Sequence, residues 1–146
     1  HPERVAGLVL ADASGNVKVD RATAEKFLSA LRANKDDVVR QWFAPILKPS
    51  SESVRSAVYT SVHNTPIDAF AGALQSAATI DVGPLLDAYH GPRVAIVATD
   101  IESPMSLHVQ FPQVPVKKMT GVGHWLMMDK PDEFNRLLDE FLATVR

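Results

Sequence analysis

Arg93-Val94-Ala95-Ile96-Val97-Ala98-Thr99 (RVAIVAT) sets the architecture. Its apolar residues run without a polar break, so both alternating faces of an extended chain are apolar, and Val94, Ile96 and Val97 are β-branched. Such a strand belongs inside a parallel sheet with helices on both faces. Gly91-Pro92 precedes it and the polar cluster from Asp100 to Ser103 stops it. Val5 to Ala11 (VAGLVLA) has the same character and runs into the turn Asp12-Ala13-Ser14-Gly15-Asn16. Val114 to Met119 is a third, shorter strand, closed by Thr120-Gly121-Val122-Gly123-His124.

Between the first two strands the hydrophobic period changes from two to about 3.6. A helix is expected from Asp20, a plausible cap, to about Asn34, with Ala24, Phe27, Leu28 and Leu31 on one face. A second, Asp36 to Leu47, aligns Val38, Val39, Trp42, Phe43, Ile46 and Leu47, with Pro45 interrupting it and Pro49 forcing a turn. A third spans Ser51 to His63, and Thr65-Pro66-Ile67-Asp68 reads as the cap and first turn of a fourth. At the other end, Asp129, Pro131, Asp132 and Glu133 open a last helix, whose apolar face carries Phe134, Leu137, Leu138, Phe141, Leu142 and Val145. The expected fold is α/β: a short, mostly parallel sheet of about three strands, a four-helix insertion within residues 18–90, and a C-terminal helix, all in one domain over 1–146.

Composition excludes several other classes. With 146 residues, 46% of them hydrophobic and 22% charged, the chain is long enough to bury a core and too apolar for disorder. A net charge of -2 without long runs of one sign leaves no electrostatic footprint for nucleic acid or an acidic membrane. The longest apolar stretch, Val5 to Ala11, falls far short of the ~20 residues that span a bilayer, and no secretory leader precedes it. A soluble, cytoplasmic-type protein is expected, although the absence of Cys says nothing about redox compartment. The first residue is His1 rather than Met, which reads as a piece of a longer or processed chain. No metal is expected, since His1, His63, His90 and His108 lack ligand spacing, and no cofactor, since Gly121-Val122-Gly123 opens no phosphate loop.

In an open α/β sheet ligands bind beyond the carboxyl ends of the strands. The three turns there hold Asp12 and Ser14; Asp100, Glu102 and Ser103; and His124. A serine, carboxylates and a histidine at one sheet edge form the set that nucleophilic acyl transfer requires. Asp and Ser after a strand are also ordinary turn formers. His124 is less easily explained as structural, because it stands between a glycine pair and the apolar run Trp125-Leu126-Met127-Met128.

Gly121-Val122-Gly123-His124 followed by Asp129-Lys130-Pro131-Asp132-Glu133-Phe134 resembles the histidine loop and final helix of the α/β-hydrolase superfamily. His1-Pro2-Glu3-Arg4-Val5 through Ala13 likewise resembles the sixth strand of that family, which makes the four helices its lid and Arg93 to Asp100 its seventh strand. The resemblance implies His124 as general base and Asp100 as the acid that orients it, with Glu102 as a substitute and Asp12 as the acid in members that place it after the sixth strand. The family's G-x-S-x-G elbow is absent from these 146 residues, so the resemblance is to a carboxyl-terminal half, a truncated hydrolase. Ser14 is then the leading nucleophile, with the Gly15 amide as an oxyanion donor, ahead of Ser103 and Ser106.

Trp42, Phe43, Tyr59, Phe70, Met127 and Met128 are most simply core. In the resembling family the lid also lines an apolar acyl pocket, to which Trp125, Met127, Trp42 and Phe43 are assigned. The function implied is an esterase for small apolar acyl esters. The rivals are a catalytically silent binding or assembly module and one half of a split hydrolase. The Val5 to Ala11 strand has no charge or proline to blunt its edge, so the expected partner is a second copy, giving a dimer, or a complementary N-terminal half.

Overall fold

Val94, Ala95, Ile96, Val97 and Ala98 are all buried, as a strand with neighbours on both edges and helices on both faces must be. The computed structural model describes residues 1–145, so Arg146, the end of the expected 1–146 domain, lies outside the described residues. Three parallel strands, β1 (Leu8–Ala11), β2 (Arg93–Ala98) and β3 (Val116–Met119), form a sheet in the order β1-β2-β3. Leu8 pairs with Arg93 and Ala11 with Ile96, while Ala95 pairs with Val116 and Ala98 with Met119. The architecture is mixed α/β with a short parallel sheet.

The period-two alternation of β2 divides the core. Ile96 and Ala98 join Met119, Val122, Leu126 and Leu137 on one face, beneath α7 (Leu126–Asp129) and α8 (Pro131–Leu142). Ala95 and Val97 join Leu86, Leu107 and Val114 on the other, beneath α5 (Val82–Asp87) and α6 (Leu107–Gln110). A third cluster is internal to α1 (Arg21–Ala33), α2 (Lys35–Leu47), α3 (Glu52–Asn64) and α4 (Ile67–Thr79), centred on Leu31, Val39, Phe43 and Leu47. These four helices form a layer with its own core, inserted between β1 and β2. Among the described residues no helix is long and apolar enough to cross a membrane.

Several boundaries differ from the sequence reading. β1 starts at Leu8 rather than Val5, and the preceding segment packs under the chain's end, where a Cβ on Gly7 would lie 3.1 Å from Phe141 of α8 and 2.8 Å from Val145 just beyond it. β3 starts at Val116, after Pro115, whose carbonyl still accepts from the Ala95 amide. Its exposed Lys118 and its Lys117, which pairs with Glu140 of α8, keep that sheet edge charged. Pro45 does not end α2, which runs on to Leu47. Thr65 closes α3 by donating to the Ser61 carbonyl instead of capping α4. The short helices α5, α6 and α7 were not anticipated, since four to six residues are too few to show a helical period.

Asp20 does cap α1: the Thr23 hydroxyl and amide both donate to its carboxylate and hold its pKa below the ordinary value. That stabilisation is present above the usual carboxylate range and is lost as pH falls through the lowered value.

The central position of β2 gives a direct expectation for stability. Ile96 is fully buried between strand neighbours and helices. Ile96→Ala is expected to cost about 2–5 kcal/mol in urea unfolding, and a loss below ~1 kcal/mol would contradict this packing.

Candidate functional site

The strand register leads to the site. β1 ends with Ala11 opposite Ile96, so Asp12 comes level with Val97, near the end of β2. The Asp12 amide still donates to the Ile96 carbonyl at 2.8 Å, but its φ of 43° then turns the chain out of the sheet. Its carboxylate replaces its own carbonyl in the ladder: Oδ1 accepts the Ala98 amide at 3.0 Å. Asp is among the few residues that tolerate this left-handed conformation, because a short polar side chain bonds the nearby backbone. A strained backbone of this kind at a strand end is a known mark of functional sites.

The second oxygen, Oδ2, lies 2.7 Å from His124 Nδ1. The Asp12 side chain is 12% exposed and that of His124 37%, so the carboxylate is sheltered while the ring reaches solvent. An ionised carboxylate accepts only, so Nδ1 is the donor in this contact, and in the neutral ring Nε2 then keeps its lone pair. Among the described residues nothing hydrogen-bonds Nε2. That state suits a general base.

Four contacts hold the histidine loop. Lys130 Nζ donates to the Thr120 carbonyl at 2.6 Å, and the Gly121 amide donates to Asp100 Oδ2, also at 2.6 Å. The Gly123 amide donates to Asp129 Oδ2 at 2.8 Å, and the His124 amide donates to the Ile46 carbonyl at 2.9 Å. Gly121 is needed for its φ of 64°.

The structure rearranges the residues expected at the site. Asp100 does not contact the His124 ring, because its carboxylate is bound to the Gly121 backbone. The imidazole's carboxylate partner is Asp12. Glu102 is turned the other way, 2.8 Å from Nε2 of the largely buried His108. Ser103 and Ser106 cap each other's turn: Ser106 Oγ accepts from the Ser103 amide, and Ser103 Oγ accepts from the Met105 amide. Ser14 lies in an isolated antiparallel bridge with Ser106. The Gly15 amide, expected as an oxyanion donor, is already donated to the Met105 carbonyl at 2.8 Å. No serine hydroxyl is hydrogen-bonded to His124 among the described residues.

An aromatic run leads away from the imidazole. Trp125 stands edge-on to His124, with centroids 5.0 Å apart, and tilts against Phe43 at 5.3 Å. Phe43 contacts Trp42, which contacts Phe27. Phe43 is buried in the core of the helical layer and backs this run rather than facing a cavity. Trp42 and Met127 are exposed. A cleft of about 370 Å³ between α2 and α3, lined by Arg40, Arg55 and Tyr59, and one of about 510 Å³ near Gly91 and Phe141, do not include His124. The described residues hold no cluster of three metal-ligating side chains. Sequence reasoning did not single out Ser50 or give Asp129 a role beyond the start of the last helix, since their meeting is a matter of tertiary contact.

Solved proteins share this overall fold. The structure of a thermophilic esterase matches with a TM-score of 0.73 at 19% identity, covering 99% of this chain and 58% of that one. NosK from Streptomyces actuosus matches with a TM-score of 0.56 at 20% identity, covering 99% of this chain and 60% of that one. At such identities the likeness is one of fold alone, a mixed α/β architecture with a short parallel sheet. The chain spans about 58% to 60% of the length of these two structures. No protein-family model matches it, and neither does any curated protein.

The two glycines of the loop are expected to fail for different reasons. Gly121→Ala meets only the flexible Lys130 side chain, so its cost is the left-handed backbone, ~1–2 kcal/mol. Gly123→Ala puts a Cβ 2.6 Å from the Ile46 carbonyl and 2.3 Å from Ser50 Oγ, which requires the loop and α2 to part. Thermal unfolding should rank Gly123→Ala as clearly the more damaging, and the reverse order would contradict the loop geometry.

Proposed function

We propose that this chain supplies the general base and its orienting acid to an ester hydrolase acting on small apolar acyl esters. The observation that carries the reading is the 2.7 Å contact of Asp12 with His124 Nδ1, which leaves Nε2 free beside Trp125. In this reading Nε2 removes the proton from a serine hydroxyl as it attacks the acyl carbonyl. Asp12 keeps the ring in the required tautomer and stabilises the imidazolium that forms. The imidazolium then returns its proton to the departing alkoxide, and water repeats the cycle on the acyl-enzyme. Trp125, Met127 and the exposed Trp42 offer apolar surface for the acyl group, and α1 to α4 act as a lid.

We assign the serine to a complementary segment rather than to Ser14. Ser14 has no bond to Nε2, and the Gly15 amide beside it is committed to Met105. Among the described residues β1 has a strand neighbour on only one side, and a further strand along its open edge, from a second copy or an N-terminal half, would bring a nucleophile to the same end of the sheet. The unpartnered Nε2 also fits a second reading, a catalytically silent module that binds through this surface.

The test is turnover of a chromogenic short-chain ester by the active assembly. His124→Ala and Asp12→Ala are each expected to lower kcat/KM by about 10²–10⁴-fold, and Asp100→Ala by no more than its effect on folding. Turnover unchanged in His124→Ala would contradict the reading. A fluorophosphonate should leave this chain alone unlabelled, and an adduct on Ser14 that disappears in His124→Ala would return the nucleophile to this chain. Absence of turnover from every assembly of the chain would favour the silent module.

A further inference from the structure

Ser50 is a buried polar residue, 3% exposed, and makes no hydrogen bond to the His124 ring. It sits in the turn between α2 and α3, and its hydroxyl donates to Asp129 Oδ2 at 2.8 Å. The same oxygen accepts the Gly123 amide, also at 2.8 Å. Asp129 Oδ1 is buried without a partner. A buried acceptor without a partner keeps its desolvation cost uncompensated, so such an arrangement persists only where its surroundings fix it.

A second bond runs beside the first. Ile46 lies in the last turn of α2, where carbonyls lack intrahelical donors. The Ser50 amide, its regular partner, bonds Leu47 instead, and the Ile46 carbonyl accepts the His124 amide. The glycine between these two bonds leaves no room for a side chain, as its close approach to Ser50 Oγ and Ile46 requires. The end of α2 therefore grips two successive amides of the histidine loop, one directly and one through Asp129.

We infer that Asp129 is a positioning residue for His124, and that Ser50 makes the helical layer part of the same clamp. The Gly123 amide direction and the His124 amide direction together set the backbone from which the imidazole projects toward Asp12. Without the Ser50 hydroxyl, Asp129 Oδ2 keeps one donor and its carboxylate is free to turn. The loop then loses one of its two ties to α2, and the ring can leave the orientation in which Nδ1 meets Asp12. Seating of the helical layer thereby governs whether Nε2 is presented as a base. This inference rests on the proposed role of His124, but its test reads the ring and not turnover.

The experiment is ring ¹⁵N NMR of histidine-labelled protein at a pH where the His124 imidazole is neutral, with His124→Gln for assignment. The two ring nitrogen shifts show which one carries the proton. In the unmodified protein the Nδ1–H tautomer is expected to dominate. Ser50→Ala and Asp129→Ala are expected to shift the ring toward the Nε2–H tautomer, and Asp129→Asn, which keeps an acceptor for Gly123 and Ser50, to restore the starting shifts. Should Asp129→Ala not fold, Ser50→Ala, which deletes a single hydroxyl, decides the matter. Folded Ser50→Ala and Asp129→Ala proteins with unchanged ring shifts, even at lowered Tm, would overturn the positioning role and leave the proposed function standing. An unmodified ring already divided between tautomers would overturn both. Loss of the ester-hydrolase reading by absent turnover would leave the ring shifts, and the clamp, intact.

Discussion

The hydrogen bond between Asp12 and His124 joins residues 112 positions apart, and the site's geometry follows from making it possible. Its acid is placed by the β1–β2 register, which brings the residue after Ala11 level with Val97 and its carboxylate within reach of the Ala98 amide. Its base is placed by a loop whose amides are held by Asp100, Asp129 and Ile46. A charge-assisted hydrogen bond of this kind is about twice as strong as a neutral one, and burying the carboxylate while the ring stays open adds direction to strength. The left-handed backbone at Asp12 costs ~1–3 kcal/mol, and the two backbone bonds of Asp12 to β2 offset it.

The helical layer is more than a cover. Its core of Leu31, Val39, Phe43 and Leu47 is separate from the two clusters under the sheet, yet Trp125 from the histidine loop packs against it. Polar ties at Ile46 and Ser50 and aromatic contact at Phe43 all converge on residues 123 to 129. The helical layer is thus tied to the histidine loop next to the imidazole.

Much of the fold was legible in the sequence because its strongest signals are local. The apolar run of β2, the period of α1 to α4 and the Pro131 start of α8 each depend on neighbours within a few residues. What was missed depends on distant contact. Val5 to Gly7 read as strand, but that segment packs under the chain's end, and α5 to α7 are too short for periodicity. His124 stood out because a polar ring among Gly, Trp, Leu and Met demands a reason. The choice between Asp12 and Asp100 did not stand out, since both follow strands and both are good turn formers. Only the register and the left-handed φ at Asp12 separate them: one carboxylate is bent back toward the ring, the other is taken by the Gly121 amide. Ser14 was read from its place in the chain, which says nothing of the bridge to Ser106 or of the bond that takes the Gly15 amide.

The most direct test of the central claim is the ring N–H proton of His124, observed by ¹H NMR in the unmodified chain and in two variants. A downfield Nδ1–H resonance that is lost in Asp12→Ala and kept in Asp100→Ala is the predicted result. A resonance that survives Asp12→Ala and disappears in Asp100→Ala would contradict the account.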